Sequence, residues 1–347
     1  MGIGMVAVLL HGCYSSEPAK EEETDPNTSK VQDLTFIPSA EVTVKECQAE
    51  VLPLAAQGGE GHISFSVGGE DAEVFEIDPV NNKIVFKALN LPDYETKESY
   101  SITVTARDEK DQTVTREIIV GIVQQNIIHK GIAYGCVPSP YTGKVWLDRN
   151  LGAERVCQSF HDEKCYGDYY QWGRSADGHE KMDSTTTSEQ ASDVKDVGHG
   201  MFILADRDQN YDWAYEVDPD GSRRVHNWSM SDGSGICPAG YRVATHDEFE
   251  AELFDENSAE IQKGYSEKAT NNDDRRLNAW NSFLRLPAAG GRGATGFSPY
   301  DPGGTGVLWT GSATETKALD VYFHEYSADM RTLGGRADGK PVRCLKD

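Results

Sequence analysis

The stretch "FEIDPVNNKIVFKALNLPDYETKESYSITVTARDEKDQTV", residues 75–114, decides the fold of the first half of this chain. Its segments "KIVF" and "YSITVTARD" alternate apolar and polar residues, and turns rich in Asn, Asp and Lys separate them. Such alternation is the pattern of strands that bury one face. Together with "EVTVKE", "HISFSV" and "TREIIVGIV", the stretch predicts a seven-stranded β-sandwich of about 90 residues.

The composition sets limits on the size and the partners of the protein. A chain of 347 residues is long enough for two domains. It has 33 Lys and Arg against 57 Asp and Glu, which gives a net charge of -24. Such a chain repels phosphate backbones, so nucleic acid is excluded as a partner, and divalent cations or neutral and cationic ligands fit better.

The N-terminus resembles the signal segment of a bacterial lipoprotein. In residues 1–13 a short apolar run leads into Leu-His-Gly-Cys, which is similar to a lipobox and makes Cys13 the predicted lipidation site. A meaningless apolar N-terminus is the alternative, because no Lys or Arg precedes the run. Residues 14–33 are rich in Glu, Ser, Thr and Pro and predict a disordered acidic tether. The expected location is the bacterial cell envelope, lipid-anchored at the outer membrane or the extracellular face.

Residues 34–128 resemble a cadherin repeat, whose core pattern is F-x-I-D, D-x-E and then Y-x-[LIV]-x-V-x-A-x-D. The matching positions are Phe75, Ile77, Asp78, Asp93, Glu95, Tyr100, Ile102, Val104, Ala106 and Asp108. In cadherins the acidic members bind Ca²⁺. The resemblance therefore implies a calcium site with Glu46, Asp93, Glu95 and Asp108 as candidate ligands. A metal-free spacer is the alternative, because "VGIVQQNII", which has no carboxylate, stands where the family has its D-x-N-D-N linker.

Residues 129–347 have a different texture, with scattered aromatic residues and much glycine. The landmarks are "VWLDRNLG", "YGDYYQWG", "ICPAGYRVAT", "WTGSAT" and "VRCLKD". These resemble the Fibrobacter succinogenes major paralogous domain, a bacterial family with a C-type-lectin-like fold. The aromatic residues of "CYGDYYQWGR", residues 165–174, serve either as core or as a ligand platform. The whole chain is thus expected to be mainly β, with a Greek-key sandwich followed by an α+β domain.

The seven cysteines fit an oxidising compartment once Cys13 is set aside, because six then remain to form up to three disulfides. Cys157 and Cys165 bracket a loop that a disulfide can close. The C-type-lectin-like fold implies a long-range bond between Cys237 and Cys344. Cys47 and Cys136 are left either to pair across the domain junction or to stay free.

Helix signals are few. Thr245 and Glu248 form a capping box in front of "HDEFEAEL", and "DDRRLNAWNSFLRLP" predicts a second helix that ends before Pro287.

One acidic loop is a second candidate calcium site. Asp206, Asp208, Asn210 and Asp212 occupy alternate positions and could offer oxygen ligands to Ca²⁺. A solvated acidic loop is the alternative in so acidic a chain.

No phosphate-binding loop, nucleophile elbow or zinc-protease motif occurs in the sequence. The expected protein is therefore a non-enzymatic cell-surface lipoprotein that presents a C-type-lectin-like head on a cadherin-like stalk. Its partner would be a surface glycan or a protein ligand, bound in adhesion or ligand capture. A structural subunit that self-associates into a surface layer or fibre is the alternative. An enzyme related to formylglycine-generating folds is the third hypothesis.

Overall fold

The computed structural model describes residues 32–256, 258, 260–261, 264–265, 274–296 and 299–347. The predicted lipidation site Cys13 and most of the predicted tether lie outside these residues. The described chain is mainly β. It consists of a two-sheet sandwich followed by a region of short strands with few helices, which we call the head (residues 129–347).

The sandwich is built from nine strands. They are β1 (Thr35–Phe36), β2 (Glu41–Lys45), β3 (Glu50–Pro53), β4 (Ala56–Gln57), β5 (Ser64–Gly68), β6 (Phe75–Asp78), β7 (Lys83–Phe86), β8 (Ser99–Arg107) and β9 (Thr113–Val123). One sheet has the order β2-β9-β8-β5 and the other β3-β7-β6, while β1 and β4 form a small extra pair. The seven strands of the two main sheets agree with the predicted sandwich.

The alternation in the sequence explains how the sandwich packs. Along β8, Ile102, Val104 and Ala106 are fully buried, whereas the residues between them are only partly covered. They join Ile84 and Ile118 in an apolar core between the two sheets. Long antiparallel pairing between β8 and β9 satisfies the backbone hydrogen bonds of this region.

Thirteen strands and three α-helices lie within the described residues of the head, and a fourteenth strand, β10, crosses its N-terminal boundary. The strands are β10 (Ile127–His129), β11 (Ile132–Tyr134), β12 (Cys136–Pro138), β13 (Val145–Leu147), β14 (Tyr170–Gln171), β15 (Thr186–Thr187), β16 (Phe202–Ile203), β17 (Tyr241–Val243), β18 (Gly264–Tyr265), β19 (Thr305–Ala313), β20 (Ala318–His324), β21 (Ser327–Gly334), β22 (Gly339–Lys340) and β23 (Cys344–Lys346). The helices are α1 (Ser222–Ser229), α2 (His246–Leu253) and α3 (Arg275–Asn281).

Two four-stranded sheets organise the head. One has the order β12-β13-β23-β17 and the other β18-β21-β20-β19. In the first sheet β23, which comes last along the chain, lies between β13 and β17. The remaining pairs, β14 with β22, β15 with β16 and β10 with β11, are short ribbons. Loops therefore make up much of the head.

The aromatic residues of the 165–174 stretch belong to the core of the head. Tyr170 is almost fully buried and Trp172 is completely buried. The indole N–H of Trp172 donates to the Thr310 carbonyl at 2.9 Å, and that of Trp309 donates to the Tyr170 carbonyl at 2.9 Å. A buried indole needs such a partner. The core interpretation of this stretch therefore fits the structure, and the ligand-platform interpretation does not.

The helices agree in part with the sequence. The capping box forms, because Thr245 Oγ1 accepts from the Glu248 N–H while Glu248 accepts from the Thr245 N–H. The second predicted helix is shorter than expected. It ends at Asn281, because the Ala279 carbonyl accepts from the Ser282 hydroxyl and from the Leu286 N–H, which turns the chain back. Helix α1 was not predicted.

Three disulfides connect the six described cysteines. They join Cys157 to Cys165, Cys237 to Cys344 and Cys47 to Cys136. Cys47 and Cys136 thus pair across the domain junction, and the alternative that they stay free does not hold. Disulfides of this number are typical of extracellular, surface-exposed proteins. Each helix in the described part of the chain is too short or too polar to cross a lipid bilayer.

Candidate functional site

A cleft of about 710 Å³ lies where the sandwich meets the head, and we call it the junction cleft. The sandwich side offers Glu46, Asp93 and Glu95, and the head side offers Asp148 and Arg149. The amide side chains of Gln124, Gln125, Asn126 and Asn281 also line it. Polar and charged groups from both domains therefore converge on one open space.

Glu46 is the most buried of these carboxylates, with only 2% of its surface exposed. It directly follows β2, and its two oxygens accept hydrogen bonds from the backbone N–H groups of Gln125 at 3.0 Å and Tyr94 at 3.3 Å. Burial raises the pKa of Glu46, and the charges of Glu95 and Asp93 add to this effect. The side chain thus connects the end of β2 to the segment that leads into the head.

Asp93 and Glu95 lie in the turn before β8. The carboxylate of Asp93 accepts from the Glu95 N–H at 3.0 Å and from the Thr96 hydroxyl at 2.9 Å. The Glu95 carboxylate accepts from the amide of Gln124, which follows β9. These bonds fix the turn and keep both carboxylates at the same end of the sandwich as Glu46.

The three carboxylates form one group, which we call the acidic cluster (Glu46, Asp93 and Glu95). One oxygen from each lies within 4.8 Å of the others. Carboxylate oxygens at this spacing, from separate segments of chain, are the ligands that Ca²⁺ prefers. The arrangement can hold a divalent cation, or it can stay ion-free as a group of mutually repelling charges.

Asp108 does not belong to this group, so its prediction as a calcium ligand beside the other three is wrong. It follows the C-terminal end of β8, whereas the acidic cluster lies beyond the N-terminal end of the same strand. Nine strand residues separate the two ends, a span of roughly 30 Å. The Asp108 carboxylate instead accepts from three backbone N–H groups, those of Glu60, Lys110 and Gln112, and so fixes local turns.

The acidic loop of the head does not form the predicted calcium site. Asp212 is 1% exposed, and its two oxygens accept from the guanidinium groups of Arg224 and Arg336 inside the core. An Asp206 oxygen accepts from the Asp208 N–H within its own turn. Asp206, Asp208, Asn210 and Asp212 are therefore not offered together to an ion, because the core occupies Asp212.

The buried ionic network around Asp212 was not predicted from the sequence. Arg224 also bonds Asp218, and its guanidinium lies over the rings of Trp172 and Trp213. Arg and Asp in a loop-rich stretch look like surface residues, since only their contacts in the fold show that they are internal.

A second acidic group in the head, Asp177, His179 and Glu180, has ligand atoms close enough for a metal. Both nitrogens of His179 are already used, however. Nε2 accepts from the Gln171 N–H at 3.0 Å, and Nδ1 lies 2.8 Å from Asp177. Complete burial lowers the pKa of His179, so the ring is neutral and donates from Nδ1. We interpret it as a structural histidine.

The head wall of the junction cleft depends on a residue that the sequence analysis did not single out as functional. The guanidinium of Arg343 is fully buried and donates to the carbonyls of Leu147 and Leu284, which precede the wall residues Asp148 and Arg285. Burial lowers the pKa of Arg343 to about 9. The "VRCLKD" landmark, which contains this arginine, is the signal that could have pointed to it.

Comparisons with known proteins identify no family for the chain. No family model matches it, and no curated protein matches it. Structures of cadherin repeats do align with part of it. Human protocadherin-24 EC1-2 is 21% identical over 27% of this chain and 44% of that chain, with a TM-score of 0.24. Drosophila N-cadherin EC1-4 is 20% identical over 27% of this chain and 25% of that chain, with a TM-score of 0.23.

A third structure, mouse cadherin-23 EC22-24, is 21% identical over 26% of this chain and 31% of that chain, with a TM-score of 0.23. The alignments span between a quarter and less than half of those three structures. These alignments cover about a quarter of this chain, and at TM-scores of 0.23–0.24 they support no conclusion about its family or its role.

Proposed function

We propose that this protein is a non-enzymatic binding protein of the bacterial cell surface. In this proposal a lipid anchor at Cys13 holds a cadherin-like stalk, and the stalk carries a C-type-lectin-like head that binds a glycan or a protein ligand in adhesion. The cleft between stalk and head takes part in binding and depends on a cation.

One observation carries the proposal. Glu46, Asp93 and Glu95 converge to within 4.8 Å on the wall of the junction cleft, which is the place where charged groups of both domains meet in an open space. The carboxylates of Glu46 and Glu95 accept from backbone and side-chain amides, and carboxylates held in this way serve binding better than catalysis.

Calcium is the cation that this site fits. The ligand atoms are oxygens from two separate segments, and three negative charges lie close together, so a divalent cation would relieve their repulsion. With three carboxylates, the expected dissociation constant is that of a weak extracellular site, on the order of 10⁻⁴–10⁻³ M.

The test is a binding screen of the full chain against glycans and matrix proteins, with calcium and with chelator. We expect at least one ligand that binds in millimolar calcium and is lost with chelator and in the Asp93→Asn, Glu95→Gln double variant. A matched control is Asp206→Asn with Asp208→Asn, which also removes two loop carboxylates but leaves the cleft intact. Binding that is equal with calcium and chelator would contradict the cation dependence.

The screen also separates adhesion from self-assembly. Ile119 and Val123 on β9 and Ile128 on β10 are exposed apolar side chains and could contact another copy of the chain. If no ligand binds and sedimentation velocity shows association that grows with concentration, the protein is a structural subunit and the adhesion proposal fails.

A further inference from the structure

The disulfide between Cys47 and Cys136 joins the two domains. Cys47 follows β2 of the sandwich, and Cys136 begins β12 of the head, with 6.4 Å between their Cα atoms. The other two disulfides connect residues of the head to each other. This bond therefore adds a covalent link between sandwich and head beyond the backbone itself.

The apolar contact around this bond is small. Its buried members are the two cysteines and Val145, with Leu91 and Ile127 packed partly against them. Its buried members belong neither to the core of the sandwich nor to the cores of the head, and only Leu91 and Ile127 connect it to them. A contact of this size provides little free energy to hold two domains in one orientation.

The neighbourhood of the bond is tight on one side and open on the other. Gly143 of the head, in a left-handed conformation, approaches the sandwich so closely that a Cβ would lie 2.5 Å from the Ala88 carbonyl oxygen. The junction cleft, which Cys136 also lines, leaves about 710 Å³ without packed side chains. A rotation of the head about the bond would therefore change the width of the cleft.

We propose that Cys47–Cys136 is a redox-sensitive latch that sets the width of the junction cleft. A dithiol reductant transfers two electrons and two protons to the bond, which leaves thiols at Cys47 and Cys136, and the reductant becomes a cyclic disulfide. The head is then held by the backbone at residues 124–126, by the small apolar group and by non-covalent contacts such as that of Gly143 with Ala88. It rotates away from the sandwich and opens the cleft.

The latch changes the cleft without dispersing the acidic cluster. Glu46, Asp93 and Glu95 all belong to the sandwich and keep their local hydrogen bonds, whereas Asp148 and Arg149 move with the head. Reduction thus separates the two walls of one site. This distinguishes the latch from loss of the proposed cation site.

We expect a reductant to react with Cys47–Cys136 before it reacts with Cys237–Cys344. Cys237 and Cys344 lie in the main aromatic core of the head, together with Trp172, Trp228 and Trp309. Local opening of a small contact between domains costs less free energy than opening a domain core. A dithiol therefore reaches Cys47 and Cys136 first under native conditions.

The test compares the oxidised full chain with a Cys47→Ser, Cys136→Ser double variant by small-angle X-ray scattering. We expect a larger maximum dimension for the variant, while tryptophan fluorescence stays native. The matched control Cys157→Ser, Cys165→Ser lacks a bond inside the head and should give the wild-type scattering curve. Superimposable curves for the variant and the wild type would overturn the latch.

A second measurement does not depend on the folding of the variant. The wild-type chain is treated with a dithiol, alkylated in stages and mapped by mass spectrometry. We expect Cys47 and Cys136 to be modified before Cys237 and Cys344, with scattering that changes in parallel. Modification of Cys237 and Cys344 before Cys47 and Cys136 would overturn the redox sensitivity.

Discussion

The sandwich and the head satisfy their buried polar groups in opposite ways. Among described residues, the buried charged side chains of the sandwich are Glu46 and Asp108, and both accept from backbone N–H groups. Among its described residues the head instead buries seven cationic side chains: Arg174, Arg224, Arg275, Arg292, Arg336, Lys340 and Arg343. The sandwich therefore has a mainly apolar core, whereas the head adds buried charged hydrogen bonds to its apolar and aromatic cores.

Strand length explains the difference. Strands β8 and β9 have nine and eleven residues, and their ladder satisfies the backbone without help from side chains. Strands β14, β15 and β16 have two residues each, so many loop carbonyls of the head need other donors. Arg336 alone donates to the carbonyls of Pro219, Asp220, Thr314 and Glu315. A fold with short strands depends on its buried side chains for backbone hydrogen bonds.

The largest loss of stability is expected when one buried charge is removed from the head. Asp212→Ala leaves the buried guanidinium groups of Arg224 and Arg336 without their shared carboxylate. We expect a loss of about 3–5 kcal/mol in the free energy of unfolding of the head. Tryptophan fluorescence during urea unfolding measures it, because all six tryptophans lie in the head.

The matched control is Asp111→Ala, which removes an exposed carboxylate paired with Arg107 on the sandwich. Its expected effect on the sandwich transition, followed by far-UV circular dichroism, is about 0–1 kcal/mol. An Asp212→Ala effect no larger than this would mean that the buried network does not hold the head together.

A smaller loss of stability, confined to the sandwich, is expected from a change in its apolar core. Ile102→Ala removes a fully buried side chain from the apolar core and should cost about 2–4 kcal/mol. Far-UV circular dichroism should report a weakened sandwich, while the fluorescence transition of the head stays in place. If both transitions move together, the two domains unfold as one unit and the comparison describes only their static packing.

Low pH is expected to destabilise the head. Because burial lowers the pKa of His179, the unfolded head binds a proton below the ordinary histidine value of about 6.5 while the folded head does not. The stability of the head should therefore fall as the pH drops from 7 to 5.5, approaching about 1.4 kcal/mol per pH unit once the pH is well below 6.5.

Two histidine variants isolate this effect when unfolding is followed by fluorescence at several pH values. His179→Gln should flatten the dependence, whereas His226→Gln, at an exposed position of α1, should leave it unchanged. Equal slopes for His179→Gln and the wild type would show that other groups cause the acid sensitivity of the head.

The smallest expected effect is that of calcium on the sandwich. A cation bound only by the folded acidic cluster, at ten times its dissociation constant, adds about 1.4 kcal/mol. The melting temperature of the sandwich should therefore rise in millimolar calcium and fall back when a chelator is added. The double variant Asp93→Asn, Glu95→Gln should abolish this shift. Unchanged transitions at about 10 mM calcium would make the sandwich a metal-free spacer.

The sequence was most informative where structure repeats at short range. The alternation in "YSITVTARD" predicts β8, and the Thr245–Glu248 spacing predicts the capping box, because both patterns depend on neighbouring residues. The acidic cluster was predicted in part, since a family pattern places Glu46, Asp93 and Glu95 at one end of the sandwich. Asp108 belongs to the same pattern but lies at the other end, which spacing along the chain does not reveal.

The rest depends on contacts that have no local signature. Asp212 reads as a surface carboxylate in an acidic loop, yet Arg224 and Arg336 reach it from 12 and 124 residues away. The head wall of the junction cleft likewise forms only when Arg343 meets Leu147 and Leu284. These long-range contacts are determined by the tertiary fold, and no periodicity or motif in a single sequence predicts them.

Because β23 lies in the middle of its sheet, the head can complete this sheet only late in its synthesis. Strand β13 can pair with β12 early, but β13 and β17 cannot pair with β23 until residues 344–346 have been synthesised, after every other strand of the head. A nascent head must therefore stay unfinished while nearly all of it leaves the ribosome, whereas the sandwich can close as soon as β9 emerges. The Cys237–Cys344 bond can likewise form only after Cys344 has been synthesised.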